Sequence, residues 1–514
     1  MGNQLGLPDP FYGYSTLLNV LIYVLLPLFG VWQFVRLRRA LHVFQLEGYK
    51  RRNFLSWTRS HRDRSLWMRA APAKKPLAMT GRAWRILVLA VALSVLAVFG
   101  SWLIAHLLLG GWPLDVAAYL LAAGLVFYLS GHVLALSDWA LTPAQQTINR
   151  RYLRAARAKL EEWTPKVVGV TGSYGKTSTK FFIERLIAPE GEALATPGSY
   201  NTTMGVVRTI NENLRKEHRY LIVEMGAKQR GDIAELVDFT RPQVAVLTAI
   251  GPAHLESFGS MDNVRTAKYE IVEGVRDDGV AVMNTDDPEV RALADGTKRV
   301  EVIRYGLDPA GSPHVSARGV ETTSEGTSFR IVDTRTGKEV AATTTLLGRH
   351  SIGNVLGAVA VALESGRTLA ELAGPIRRLT AVEHRLQIIK SAGGVTVIDD
   401  AYNSNPDGAA AALEVVDDMP GGHKIVVTPG MIELGELQTE ANERFGEHAG
   451  RVADTLIVVA RVNREALVTG AQRSTRARVV IVDTLAQAQE EMKSLLGSGD
   501  VVLFENDLPD QYEG

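Results

Sequence analysis

The chain has 514 residues, no cysteine, and 56 Lys plus Arg balanced by 56 Asp plus Glu. That length exceeds one ordinary hydrophobic core, so at least two folded domains are expected, and the lack of cysteine excludes disulfides and thiolate-bound metals. The balanced total hides an asymmetry: fourteen basic residues lie between Arg36 and Arg85 against only Glu47 and Asp63, a local net of +12, so the remainder sums to −12.

Three apolar stretches come first: about Tyr14 to Val35, Ile86 to Leu109, and Val116 to Leu136. Each reaches the roughly 20 helical residues needed to cross a hydrocarbon core, and helices of soluble cores seldom run so far without polar breaks. Nothing basic precedes the first stretch and no small-x-small cleavage site follows it, so it reads as a retained helix rather than a signal peptide. Arg36, Arg38 and Arg39 follow at once, and the basic loop runs on to Arg85. Positive charge stays on the cytoplasmic side, which puts the N-terminus outside and everything after the third helix in the cytoplasm. The loop, with Trp57 and Trp67 among its arginines, either serves only as this topology signal or also lies on anionic headgroups. Residues 1–139 are thus expected to be a three-helix segment of the cell (inner) membrane, with the lipid bilayer as partner and no nucleic acid. From Thr142 to Trp163 the pattern is amphipathic, with Ile148, Tyr152, Leu153, Ala156 and Leu160 at helical spacing, and residues 140–165 read as a connector.

Val167 to Val170 is a short β-branched run followed by Thr171-Gly172-Ser173-Tyr174-Gly175-Lys176-Thr177-Ser178 and then the helical pattern of Phe181, Phe182 and Leu186. Strand, glycine loop and helix form a phosphate cradle. Backbone N–H groups at the helix N-terminus face the anion, the lysine neutralises phosphate, and the following hydroxyl reaches Mg²⁺. The usual first glycine is Val170 here, with Gly172 two residues later. Leu221 to Glu224 and Val244 to Thr248 read as further buried strands, each followed by polar residues on the rim where α/β sheets bind ligands. Glu224 is suited to hold Mg²⁺, which takes oxygen ligands and bridges ATP phosphates.

Thr-Gly-Ser-x-Gly-Lys-Thr-Ser is how this loop reads in the Mur ligases, and the resemblance continues over about two thirds of the chain, from Lys166 to the C-terminus. It implies ATP and Mg²⁺ as cofactors, with Gly172, Ser173, Gly175, Lys176, Thr177 and Ser178 around the nucleotide, and Thr177, Glu224 and His254 on the metal. Lys268, in Thr266-Ala267-Lys268-Tyr269-Glu270-Ile271, matches a lysine that the family carries as a carbamate. The alternative is an ordinary solvated lysine. Lys176, His254 and Lys268 are the implied catalytic groups. Asn201-Thr202-Thr203-Met204-Gly205 resembles a segment lining the reaction centre, which would put Asn201 and Thr202 at the substrate; a helix cap is the alternative.

Further on, Gly348-Arg349-His350-Ser351-Ile352-Gly353-Asn354 matches a segment whose last Asn contacts adenine, the alternative for Asn354 being helix capping. Strands near Val395 to Ile398, Lys424 to Thr428, Thr455 to Val459, Val479 to Val482 and Val501 to Phe504 predict a second doubly wound domain. Arg385 matches an arginine that reaches ATP phosphate on closure, or else is an exposed linker charge. Asp399-Asp400-Ala401-Tyr402-Asn403-Ser404-Asn405-Pro406 looks like the D-alanyl-D-alanine-adding branch, which implies Asp400 near the nucleotide and Tyr402 and Asn403 near the substrate. Two segments depart from that branch: Pro429-Gly430 replaces its Gly-Asp, and Phe504-Glu505-Asn506-Asp507-Leu508-Pro509 differs from its usual Lys-Gly-Ser ending.

The expected fold is α/β: membrane helices, a central ATP-binding domain at 166–384 and a Rossmann-like domain at 385–514. The implied reaction activates a carboxylate as an acyl phosphate and joins it to an amino acid or dipeptide in cell-wall precursor synthesis. Because membrane helices stand where the family's UDP-binding domain would be, a lipid-linked donor is expected. A polymer ligase like poly-γ-glutamate synthase, distinguished by product length, is one alternative. A non-catalytic ATP-binding scaffold, which would lack the metal ligands, is another.

Overall fold

A computed structural model describes residues 10–60, 76–109, 114–323, 325–390, 393–402, 404–459 and 461–508. The chain divides into two units, Met1–Arg150 and Arg151–Gly514. In the first unit the first apolar stretch lies within the helix Pro10–Leu46, though its side chains before Leu28 fall outside those described. The second forms Gly81–Leu109. Among the described residues, Gly81–Leu108 alone is a helix long and apolar enough by itself to cross a membrane.

The third stretch departs from the expected single span. It breaks between Tyr128 and Ser130 into Leu114–Tyr128 and Ser130–Trp163, which meet at 73°. Ser130 Oγ donates to the Phe127 carbonyl at 2.7 Å, the kind of side-chain competition for backbone acceptors that bends helices. One helix runs unbroken through residues 139 and 140 to Trp163. The connector's apolar face is real at its far end: Ala156 is fully buried and Leu153 and Leu160 pack beside it, but Tyr152 is exposed.

The second unit holds two sheets. In the first, β1 (Lys166–Thr171), β2 (Ala193–Ala195), β3 (Tyr220–Glu224), β4 (Val244–Leu247), β5 (Val280–Asn284) and β6 (Glu301–Tyr305) are followed by β7 (Val315–Thr323), β8 (Gly326–Asp333) and β9 (Lys338–Thr344). Their spatial order is β2-β3-β1-β4-β5-β6-β7-β8-β9. Strands β1 to β6 are parallel and β7 to β9 an antiparallel meander that the sequence reading did not anticipate. Buried on both faces, β1, β3 and β4 are nearly continuous runs of valine, leucine and isoleucine, as covered parallel strands require.

The second sheet contains β10 (Gln387–Lys390), β11 (Thr396–Asp400), β12 (Lys424–Thr428), β13 (Thr455–Val459), β14 (Arg478–Val482) and β15 (Val501–Glu505), in the order β10-β11-β15-β12-β13-β14. All pairs are parallel except β10 with β11. The five strands expected here are present within two residues. In both sheets the C-terminal strand ends form the rim on which such folds bind ligands.

Candidate active site

The loop after β1 is zipped against the segment after β4. Ser173 N donates to Ala249 O at 2.8 Å, Thr248 N to Thr171 O at 2.9 Å, and Ser173 Oγ to Gly251 O at 2.9 Å. Gly172 has φ +152°, and a Cβ there would lie 2.0 Å from Thr248 Oγ1, so no other residue fits without displacing the loop. Lys176 opens the helix Lys176–Ile187, with Thr177 and Ser178 in its first turn, and its Nζ donates to the carbonyls of Gly172 (2.6 Å) and Ser173 (2.9 Å).

Register places Glu224, the last residue of β3, opposite Val170, directly beside this loop. Its carboxylate is 1 % exposed, paired with Lys180 Nζ at 3.1 Å and accepting from Asn201 Nδ2 at 3.1 Å. Burial opposes its ionisation, but Lys180 and Lys176 outweigh it and hold the carboxyl below the usual range. Lys180 itself is fully buried, donates to the Gly198 carbonyl as well, and is pushed below the ordinary lysine range by burial. The sequence reading missed Lys180. Its one signal was position, a lysine one helical turn after Lys176 in an otherwise apolar face.

Lys268 lies on the helix Met261–Glu273 and is 3 % exposed; burial, then the charge of Lys176, pushes its amine down to about 7. Lys176 is pushed down to about 8 by burial, with Glu224 opposing and Arg385 reinforcing the shift. Lys176, Glu224, Lys268 and Arg385 thus share one electrostatic site, reached from β1, β3, the 261–273 helix and the link between the sheets. Lys268 is buried here, so the solvated alternative does not hold.

Arg385 is bracketed by His384 and Leu386, both left-handed at φ 58° and 46°. His384 Nδ1 meets Asp399 Oδ2 at 2.7 Å, and Asp400 accepts from Leu386 N at 3.0 Å. Burial pushes Asp400 up to about 6 against the pull of Arg385. The guanidinium stacks 4.3 Å from the Tyr402 ring centre, and Tyr402 Oη donates to Ser199 Oγ at 2.5 Å. That contact joins the second sheet's domain to the loop carrying Asn201. Asn403 lies outside the described residues.

Three further expected residues make definite contacts. The Thr202 hydroxyl accepts from Gly205 N and caps the helix Thr203–Asn213, so the capping alternative is the one observed. Asn354 stands on the helix Arg349–Glu364, where its Oδ1 lies against Gly175 and accepts from Thr179 Oγ1 at 3.1 Å. His254, left-handed at φ 58°, turns its Nδ1 onto Glu433 Oε2 in the other domain. Burial, with the negative charges of Asp407 and Asp287 nearby, pushes the Tyr174 hydroxyl well above the ordinary tyrosine range.

The donor chemistry fits a hard cation. Glu224 and the Thr177 hydroxyl offer oxygen, and the described residues contain no cluster of three acidic or imidazole groups. Mg²⁺ with phosphate oxygens needs only one or two such side chains.

Models of known families match twice: the Mur ligase middle domain over residues 170–362, and the Mur ligase glutamate ligase domain over 384–505. The UDP-N-acetylmuramoyl-tripeptide--D-alanyl-D-alanine ligase of Escherichia coli (strain K12) is 35% identical over 58% of this chain and 66% of its own length. That of Mycobacterium leprae (strain TN) is 33% identical over 68% and 72%. The chain spans 66% of the Escherichia coli relative and 61% of that from Mycobacterium tuberculosis, less than two thirds of either. Among solved structures, the MurF ligase from Thermotoga maritima in complex with ADP superposes with TM-score 0.63 at 27% identity, over 70% of this chain and 80% of that one. MurF from Acinetobacter baumannii gives 0.63 at 25% identity, over 70% and 78%.

Proposed function

We propose, from the premise that this chain belongs to the Mur ligase family, that it is a membrane-anchored ATP-dependent ligase forming one amide bond in cell-wall precursor synthesis. The glycine loop held by Lys176 with the buried Glu224 carboxylate opposite Val170, and Lys268 and Arg385 within electrostatic reach, carries this reading. A donor carboxylate oxygen attacks the γ-phosphorus of ATP and ADP leaves. The amine then attacks the acyl carbon, phosphate leaves, and the nitrogen gives up a proton.

Lys176 and Arg385 stabilise the charge that moves from the γ-phosphate to ADP, and the loop amides hold the phosphates in line. Thr177, Glu224, His254 and a carbamylated Lys268 would hold Mg²⁺, which when bound neutralises phosphate charge. An amine with its pKa near 7 is largely neutral at physiological pH, the form that adds CO₂ and releases a proton to give the carbamate. Asn354 would read adenine, Asp400 would stand near the nucleotide, and Asn201, Tyr402 and Asn403 would line the substrate side.

The relatives' names supply the substrate class: a muramoyl peptide as carboxylate donor and D-alanyl-D-alanine as amine. The apolar first unit supports presentation of the donor on a lipid, with the anchor concentrating enzyme beside it. Its helices expose large apolar residues in quantity, Leu107 at 71 %, Leu108 at 76 % and Leu121 at 75 % among them, more than a water-facing surface normally carries. The basic stretch from Arg36 to Arg85 supports a cytoplasmic catalytic part at the inner membrane. The test measures ADP release by the detergent-purified full chain with D-alanyl-D-alanine and either lipid-linked or UDP-linked muropeptide. Faster turnover of the UDP form rejects the lipid-linked donor, and no ADP from either rejects the ligase reading. Sedimentation with membranes that resists high salt but yields to detergent checks the anchor.

A further inference from the structure

We infer that Glu433 is a positioning residue for the metal site: delivered by the C-terminal domain, it fixes the ring of His254 so that the imidazole serves a divalent cation only when the two domains are docked. The inference rests on the reading of His254 as a metal ligand and goes beyond it, to a residue 179 positions away.

The contact is built from both sides. On the central domain, His254 precedes the short helix Leu255–Phe258 and is held at φ 58°. On the C-terminal domain, Glu433 lies in the loop after β12 and is itself left-handed at φ 63°. Non-glycine residues in that region are disfavoured, and two that face each other across a domain junction call for a compensating interaction. Two such interactions occur: His254 Nδ1 meets Glu433 Oε2, and Glu256 N–H donates to the Glu433 carbonyl at 3.3 Å.

The loop that presents Glu433 is itself pinned. Asn442 Oδ1 accepts from Met431 N at 2.8 Å and its amide donates to Met431 O at 3.0 Å, while Asn463 Nδ2 donates to Pro429 O at 3.1 Å. Met431 and Leu434, flanking the carboxylate, are buried. A carboxylate on a fixed loop makes a defined hydrogen-bond partner rather than a wandering surface charge.

A carboxylate can only accept, so its partner nitrogen must carry the proton, and Nε2 of the neutral ring is left with its lone pair for a cation. Carboxylate support of this kind commonly changes metal affinity by about 10–100-fold. Here the supporting group comes from the other domain, so undocking removes it.

The test titrates Mn²⁺ by EPR into the detergent-purified full chain with a non-hydrolysable ATP analogue, comparing wild type, Glu433→Ala, Glu433→Gln, His254→Ala and the double alanine variant. Expected is a weakening of roughly 10-fold or more for Glu433→Ala and partial recovery in Glu433→Gln, whose amide oxygen still accepts from Nδ1–H. The double variant should be no weaker than His254→Ala alone, because Glu433 acts through the ring. Unchanged affinity in Glu433→Ala beside a loss in His254→Ala overturns the role of Glu433 alone. Additive losses overturn it too, since Glu433 would then act independently. Unchanged affinity in His254→Ala overturns both this inference and the metal-ligand reading beneath it.

Discussion

Replacing Lys180 by Met tests the electrostatic account of the site most directly. The Lys180–Glu224 pair is 0 % and 1 % exposed with a 3.1 Å contact, so neither charge has solvent to fall back on. Met keeps the stem and removes the cation, leaving Glu224 with Asn201 and the more distant Lys176. Breaking one side of a buried pair costs about 3–5 kcal/mol, because the remaining charge is uncompensated. For a domain of 150–250 residues each kcal/mol moves the midpoint by about 2–4 °C, so the transition of the central domain should fall by about 6–20 °C. Differential scanning calorimetry of the detergent-purified chain reads this. Adding Glu224→Gln removes the orphaned charge and should restore more than half of the loss, a coupling that a double-mutant cycle isolates. A loss below about 1 kcal/mol, the range of an exposed pair, or a double variant as unstable as the sum of the singles, refutes the reasoning.

Gly172→Ala puts a Cβ 2.0 Å from Thr248 Oγ1 at φ +152°, and nucleotide binding by a fluorescent ATP analogue should be lost while far-UV circular dichroism is unchanged; retained binding would show that the loop does not hold phosphate as described. Lys268, pushed down to about 7, is charged below that pH and neutral above it. At a fixed concentration of dissolved CO₂, the recovery of CO₂-stripped enzyme should therefore speed up as pH rises through 7 and then level off, and a rate independent of pH across that range argues against carbamylation. The same depressed value means that the unfolded chain binds more protons between about 7 and 10.5, so this group's contribution to stability rises with pH across that window. Thr202→Ala should cost about 1 kcal/mol of stability as a lost helix cap, with Thr202→Ser restoring it and kcat little altered. A large fall in kcat at unchanged stability would return Thr202 to the substrate side.

The parallel strands were legible because burial on both faces forces β-branched runs, as in Val167 to Val170 and Leu221 to Val223, and glycine punctuation marked the phosphate loop. The meander β7 to β9 escaped for the opposite reason: Val315–Thr323 is half exposed and carries Arg318 and Glu321 among its residues, so its composition imitates a loop. Lys180 escaped because a helical lysine after a phosphate loop reads the same whether its amine meets water or Glu224; only β3 lying beside β1 decides it. The break in the third apolar stretch hinges on the Ser130 hydroxyl bonding back to Phe127, invisible to hydropathy. Thr202 stood between two readings because a capping hydroxyl and a substrate-facing one need the same residue before the same helix.

The contacts between the two sheets' domains share a physical character that bears on turnover. Among the described residues nine non-glycine residues are left-handed, and four of them, His254, His384, Leu386 and Glu433, stand at this junction. Each such residue costs about 1–3 kcal/mol unless its surroundings determine it, so the docked arrangement stores strain where the domains meet. Two links work against that strain: Tyr402 to Ser199, and His254 to Glu433. One ends on the loop that carries Asn201 and the other on the loop after β4 that carries His254. The docked arrangement is thus held by a few polar contacts set against backbone strain. A junction made of a large apolar interface would hold the domains more firmly but would give substrate and nucleotide no means of biasing the equilibrium.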